Sequence, residues 1–279
     1  MPNPIADPLV EGPDTDVMSD LVVIEGAGDP AVTVTINRAA KKNAFDSEVI
    51  GALREAFETL HAADGVRVVF VAGAGPMFSA GADLDWMAEA AELTESDNRE
   101  DAMAMAVMLR HLHDLPTLTV ALVQGGAFGG GAGLAAACDF SIATADARFS
   151  FSEVKLGLVA ATISPYVIRA IGPRRARGLF ATGRVFDASF AKEIGLIDEV
   201  VADVAALAQA KARIAAEIVA CGPEAVAASK KLVDHVAGRE IDHGLMAETA
   251  RAIAAARMGE EGREGVRAFL ERRKPGWAV

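Results

Sequence analysis

Residues 123–134, VQGGAFGGGAGL, limit the folding of this chain more than any other stretch, because six glycines fall within nine positions. They follow the apolar run 118–123 and precede the small-residue run 134–138. That order predicts a strand, a tight glycine turn and a helix N-terminus. The start of a helix presents unpaired backbone N–H groups and a partial positive charge. Glycine lets a ligand come close to such a backbone because no Cβ stands in the way. Taken alone, the stretch also fits a turn that only packs a helix against a sheet, so the rest of the chain has to decide.

Two further runs set the architecture. Residues 66–72 are almost continuously apolar, as expected of a parallel strand covered on both faces. Residues 31–36 instead alternate Val32, Val34 and Ile36 with Thr33 and Thr35, and pair with 22–25 as a hairpin across Gly26 to Pro30. Asp46 is placed to cap a helix bearing Ile50, Leu53, Phe57 and Leu60, and a second helix is expected over 97–114. Strands are expected at 117–123 and 139–143, and a short extended segment at 148–152 runs into Glu153. This rhythm gives an α/β domain with a largely parallel sheet. Beyond about residue 200 the pattern is helical, over 203–219, 224–236, 241–258 and 263–273. The expected organisation is a disordered tail at 1–18, rich in Pro and Asp, an α/β core at 19–202 and a helical region at 203–279.

Composition removes several classes. A net charge of −12 argues against nucleic acid as a partner. The two cysteines, Cys138 and Cys221, make no disulfide framework and fit a reducing cytoplasm. No apolar run reaches membrane-spanning length, and the polar N-terminus lacks the apolar core of a signal peptide. His111 and His113 are two apart and point to different sides of a helix, a poor metal pair.

The chemistry lies in two glycine-bearing turns, each after a buried strand: Ala80-Gly81-Ala82 and Gly129-Gly130-Gly131. Two such turns can aim two backbone N–H groups at one point, the arrangement of an oxyanion hole. Ser79 is not in a nucleophile elbow, since Met77 stands where the first glycine of that motif would be. Gly131 to Ala136 matches G-x-G-x-x-A with Glu153 twenty residues beyond Gly133, a nominal dinucleotide fingerprint. Extra glycines precede it, and Glu153 opens a turn instead of ending a second parallel strand, so a nicotinamide cofactor is not expected. No metal or redox cofactor is expected either.

Four motifs in order, Phe78 to Leu84, Gly125 to Gly133, Cys138-Asp139, and Phe149 with Glu153 and Gly157, resemble the enoyl-CoA hydratase/isomerase (crotonase) family. The resemblance runs from about Leu21 to the C-terminus. It implies a spiral of ββα turns with a C-terminal helical trimerisation region, hence a homotrimer or a dimer of trimers. It implies an acyl-CoA thioester substrate, CoA entering only as part of it, and hydration of an α,β-unsaturated acyl group. The family's oxyanion N–H groups fall on Ala82 and Gly130, and its CoA loops on Asn43, Ala44, Ala80, Gly81, Asp83 and Leu84. Arg38, Lys41 and Lys42 lie beside the first loop, where they could meet phosphates or stand as solvated charges. Lys274, with Arg272 and Arg273, would reach a neighbouring subunit's CoA. Of the family's two catalytic glutamates one falls on Glu153; the other falls on Gly133, which has no side chain and is expected to leave space in the pocket. The segment from Phe151 to Tyr166 is similar to bacterial 3-methylglutaconyl-CoA-type hydratases acting on branched or carboxylated substrates. A double-bond isomerase on the same fold, or a non-catalytic acyl-CoA- or RNA-binding member, are the alternatives.

Overall fold

The computed structural model describes residues 15–278. Among them a seven-stranded sheet runs β1 (Thr15–Ser19), β2 (Val22–Glu25), β3 (Ala31–Ile36), β4 (Val68–Gly73), β5 (Leu118–Val123), β7 (Phe140–Thr144), β10 (Glu199–Val201) in spatial order. The first three strands pair antiparallel and the rest parallel. A small second sheet holds β6 (Gly126–Phe128), β8 (Arg148–Ser150) and β9 (Phe186–Asp187).

The apolar run expected to be covered on both faces is covered on both faces. Along β4, Val69 and Val71 join a cluster with Leu53 and Phe57 of helix α1 (Ser47–Ala62). The intervening Val68 and Phe70 join another with Leu207, Ala210, Ile214 and Ile218 of α7 (Val204–Val219). Alternate side chains of a strand point to opposite faces, so a strand between two helical layers has no polar side to show. Each such aliphatic or aromatic side chain contributes about 1.5–3 kcal/mol of transfer free energy. As the sequence indicated, Asp46 caps α1: its carboxylate accepts from the Val49 N–H at 2.9 Å.

Between α1 and the C-terminal helices come α2 (Leu84–Ala90), α3 (Glu95–His113), α4 (Gly130–Ala137), α5 (Ser164–Thr182) and α6 (Ala188–Glu193). Helix α5 breaks at Gly172, whose φ of 75° is not helical and which precedes Pro173. After α7 the chain closes with α8 (Pro223–Val236), α9 (His243–Met258) and α10 (Glu260–Leu270). Arg67, 8% exposed at the foot of β4, donates to the carbonyls of Ile218 and Cys221 and so ties the sheet to the end of α7.

Three expectations change. The disordered tail placed at 1–18 lies outside the described residues up to residue 14, but Thr15 to Met18 belong to β1 and pair with β2. The glycine stretch is not a bare turn between strand and helix, since three of its residues form β6. The last helix begins at Glu260, three residues early, and ends at Leu270, where the chain soon turns through Arg272 at φ 55°. Among the described residues no helix is long and apolar enough to cross a membrane.

Candidate active site

The ends of β4 and β5 bring three loops together. Phe78 and Ser79 donate their N–H groups to the carbonyls of Gln124 and Gly126, and Phe128 donates to Ser79, so the two glycine-bearing turns are laced to each other. A third loop joins them: Phe45 donates to Gly81, Asp83 donates to Phe45, and the Ser79 hydroxyl donates to the Asn43 carbonyl at 2.8 Å. Gly81 sits at φ 89°, and a Cβ there would lie 2.6 Å from the Phe128 carbonyl oxygen and 3.6 Å from the Gly130 nitrogen. Only glycine meets both the backbone angle and the close approach.

This packing brings the backbone at Ala82 and the Gly130 N–H to one place. Gly130 is the first residue of α4, where an N–H has no partner within the helix. Neither the Ala82 nor the Gly130 N–H finds an acceptor among the described residues. Phe45 and Met105 pack over Gly130, with ring and methyl carbons 3.0 and 3.2 Å from where a Cβ would stand.

Glu153 arrives from a different element. It opens a 3-10 turn over Glu153–Leu156, directly after β8, which pairs with β6. The Gly129 N–H donates to Ser150 at 2.9 Å, drawing the two segments together. The Glu153 Oε1 lies 3.1 Å from the position a Cβ on Gly129 would take, one residue before the Gly130 N–H. Its other oxygen, Oε2, is buried with no hydrogen-bond partner. Burial pushes its carboxyl above the ordinary value of 4.5, against a smaller opposing pull from its own backbone N–H. A carboxylate with a buried unpaired oxygen and a raised pKa, beside Gly129 and the next residue's free N–H, can accept a proton, hold it and return it.

The remaining expected residues are placed as follows. Asn43, fully buried at φ 54°, accepts from the Arg38 N–H and donates to the carbonyls of Ala74 and Met77, pinning the loop that also carries Ala44. Ala80 donates to the Lys42 carbonyl, and Leu84 is exposed at the start of α2. Asp83 turns inward: it accepts from the Asp85 N–H and pairs with Arg38 at 2.6 Å. Burial opposes its ionisation, yet the Asp85 N–H and the Arg38 guanidinium outweigh that and hold its carboxyl below the ordinary value.

Arg38 does not face phosphate. Its guanidinium is taken by Asp46 at 2.7 Å, by Asp83 and by the Ala44 carbonyl, which makes it a clamp for the loop. Lys41 is more exposed and pairs with Asp85 at 2.6 Å. Lys274 is exposed in the turn after α10, beside an Arg273 held by Glu264 and Glu271. Gly133 does not leave space. The side chain of Ile163 fills the volume beside it, with Cγ2 only 2.0 Å from where a Cβ on residue 133 would stand.

Other groups are structural. Asp139 accepts from Thr119 and pairs with Lys230 at 2.6 Å, fixing the end of α4 to the sheet. His111 faces Glu58, while His113 faces Asp234 and packs its ring against Tyr166. No three His, Cys, Asp or Glu among the described residues converge as metal ligands. A cleft of about 730 Å³ between α3, α5 and α8 contains neither Glu153 nor the two free N–H groups.

With that geometry in view, the comparisons decide the family. The model of the enoyl-CoA hydratase/isomerase family matches residues 28–279. The chain belongs to the enoyl-CoA hydratase/isomerase family. It is 36% identical over 244 residues to a Thermus thermophilus protein provisionally named as an enoyl-CoA hydratase, spanning 87% of this chain and 95% of that one. A Legionella pneumophila structure, provisionally described as a crotonase-type hydratase/isomerase, superposes at a TM-score of 0.87 with 44% identity, covering 92% of this chain and 98% of its own. An enoyl-CoA hydratase from Shewanella pealeana superposes at 0.87 with 36% identity, over 92% and 96% of the two chains. The crotonase fold with C-terminal helices is therefore this chain's fold, and the chain is an enzyme of the enoyl-CoA hydratase/isomerase family.

Proposed function

We propose that this enzyme adds water across the double bond of an α,β-unsaturated acyl-CoA with Glu153 as its single acid/base. The observation that carries this is the buried, partnerless Oε2 of Glu153, whose Oε1 lies beside Gly129, next to the free Gly130 N–H. The thioester carbonyl accepts from the Ala82 and Gly130 N–H groups, which stabilise the negative charge that grows on its oxygen. Electron density leaves the β-carbon. Glu153 takes a proton from water as the oxygen bonds to that carbon, then returns the proton to the α-carbon. One water is consumed and its two halves end on adjacent carbons.

CoA is bound by the loops at Asn43-Ala44 and from Ala80 to Leu84 through backbone groups, with Lys41 at their edge. The active assembly is a homotrimer or a dimer of trimers, with Lys274 of one subunit reaching the CoA of the next. Exposed apolar side chains along α9 and α10, Phe269 (82%) and Leu270 (74%) among them, support such an assembly, because monomers rarely leave them uncovered in a group. The acyl group to try first is a branched or carboxylated one of the 3-methylglutaconyl type, on the likeness of residues 151–166 and the glycine at 133.

The test is loss of enoyl-thioester absorbance with crotonyl-CoA and 3-methylglutaconyl-CoA. Wild-type turnover that Glu153→Gln abolishes, faster on the branched acid, supports the reading. Proton exchange into substrate without net hydration would move the assignment to a double-bond isomerase, the second reading for a site with one carboxylate.

A further inference from the structure

Residue 133 stands one helical turn after Gly130 on α4, so both lie on the same side of that helix. A Cβ on residue 133 would come within 2.0 Å of the Ile163 Cγ2 and 2.5 Å of the Ile163 Cβ. Rotation about χ1 would swing the γ-carbons away but cannot move the Cβ. The backbone is not free to yield either. Ile163 caps α5, its carbonyl accepts from the Tyr166 and Val167 N–H groups, and its side chain is 2% exposed. The isoleucine at 163 therefore requires glycine at 133, across two helices and thirty residues of chain.

We infer that Ile163 is the specificity-determining residue that holds this site to one carboxylate, by filling the volume through which residue 133 would present a second. The inference rests on Glu153 being the acid/base. It also gives the wall its chemistry. A water molecule near the reacting carbons finds a carboxylate on the Glu153 side and hydrocarbon on the side of residue 133. An acyl group with an alkyl branch on that side meets methyl groups, with no charge to desolvate. The site thus favours enoyl thioesters branched on that side over linear ones, which would leave the hydrocarbon wall uncovered.

The experiment compares Gly133→Glu, Ile163→Gly, the double variant, and Gly133→Glu combined with Ile163→Ala. Each is melted and assayed on crotonyl-CoA and 3-methylglutaconyl-CoA across pH. Gly133→Glu alone should melt well below wild type and gain nothing. Ile163→Gly should restore its melting, and the double variant should hydrate crotonyl-CoA at least about tenfold faster than Ile163→Gly alone, with a new acid limb in its pH profile. Ile163→Ala should not rescue, because alanine keeps the obstructing Cβ. The inference falls if Gly133→Glu alone melts like wild type, if alanine rescues as well as glycine, or if the double variant folds without that gain. Glu153→Gln in the wild-type background fails separately: full activity there removes the acid/base reading, while the melting comparison still tests the contact.

Discussion

Replacing Glu153 by Gln should make the protein more stable while stopping its chemistry. Wild-type Oε2 is buried without a partner; such a group costs about 1–3 kcal/mol and more when charged, and the neutral amide removes the charged excess while the missing bond remains. The rest of the carboxyl is partly open to solvent, so the lower end applies, about 1 kcal/mol. For a chain of this size that raises the melting temperature by about 2–4 °C. The effect must depend on pH with a definite sign. The folded-state pKa of Glu153 is raised, so its protonated form favours folding at low pH, and that contribution is lost as pH rises through the folded value. Glutamine does not titrate and mimics the protonated form. Its advantage should be full near pH 8 and vanish near pH 4, where wild type carries the proton too. Melting both proteins across that range, with hydration assayed alongside, reads both effects; activity should fall by about 10²–10⁴. A Gln variant no more stable at pH 8, or equally more stable at every pH, refutes the claim that an uncompensated charge sits there.

Three further outcomes follow from the same packing. Arg38→Met leaves the inward-turned Asp83 with Lys41 as its only cation and should destabilise by about 2 kcal/mol, below the cost of breaking a wholly buried pair, as a lower urea midpoint would show. Gly125→Ala should fail to give a native melting transition: the residue sits at φ 64°, and its new Cβ would stand 2.0 Å from the Pro76 carbonyl oxygen, an overlap costing at least about 3 kcal/mol. If the proposed trimer or hexamer forms, Phe269→Asp should leave the monomer folded but prevent assembly, read as a monomer mass in sedimentation; a mass unchanged from wild type removes α10 from the interface.

Much of this was legible in the sequence because it is local. The unbroken apolar run of β4, the alternation in β3 and the cap at Asp46 each follow from the period of one element. The close approach of the two glycine-bearing turns was legible too, since glycines after buried strands mark close backbone approach. What stayed hidden depends on partners far along the chain. Strands β6 and β9 have three and two residues, too few for any period to show. Arg38 reads as a free cation until the fold brings Asp83 to it from 45 residues away. Gly133 reads as a vacancy because a sequence records the missing side chain but not the neighbour that moves in.

The lacing between the turn at Ser79 and the strand at Ala127 reaches beyond the two N–H groups it positions. Phe128 donates to Ser79 and Ser79 to Gly126, so the separation of the two anchoring loops is set by a backbone ladder in which no side chain takes part. A substitution disturbs that gauge chiefly where a new Cβ would enter the backbone contact, as at Gly81 and Gly125. The part of the pocket proposed to grip the thioester is thereby held by backbone, while the walls at 133 and 163 can change only as a pair. A scaffold divided in this way can change what it acts upon without relearning how to hold it.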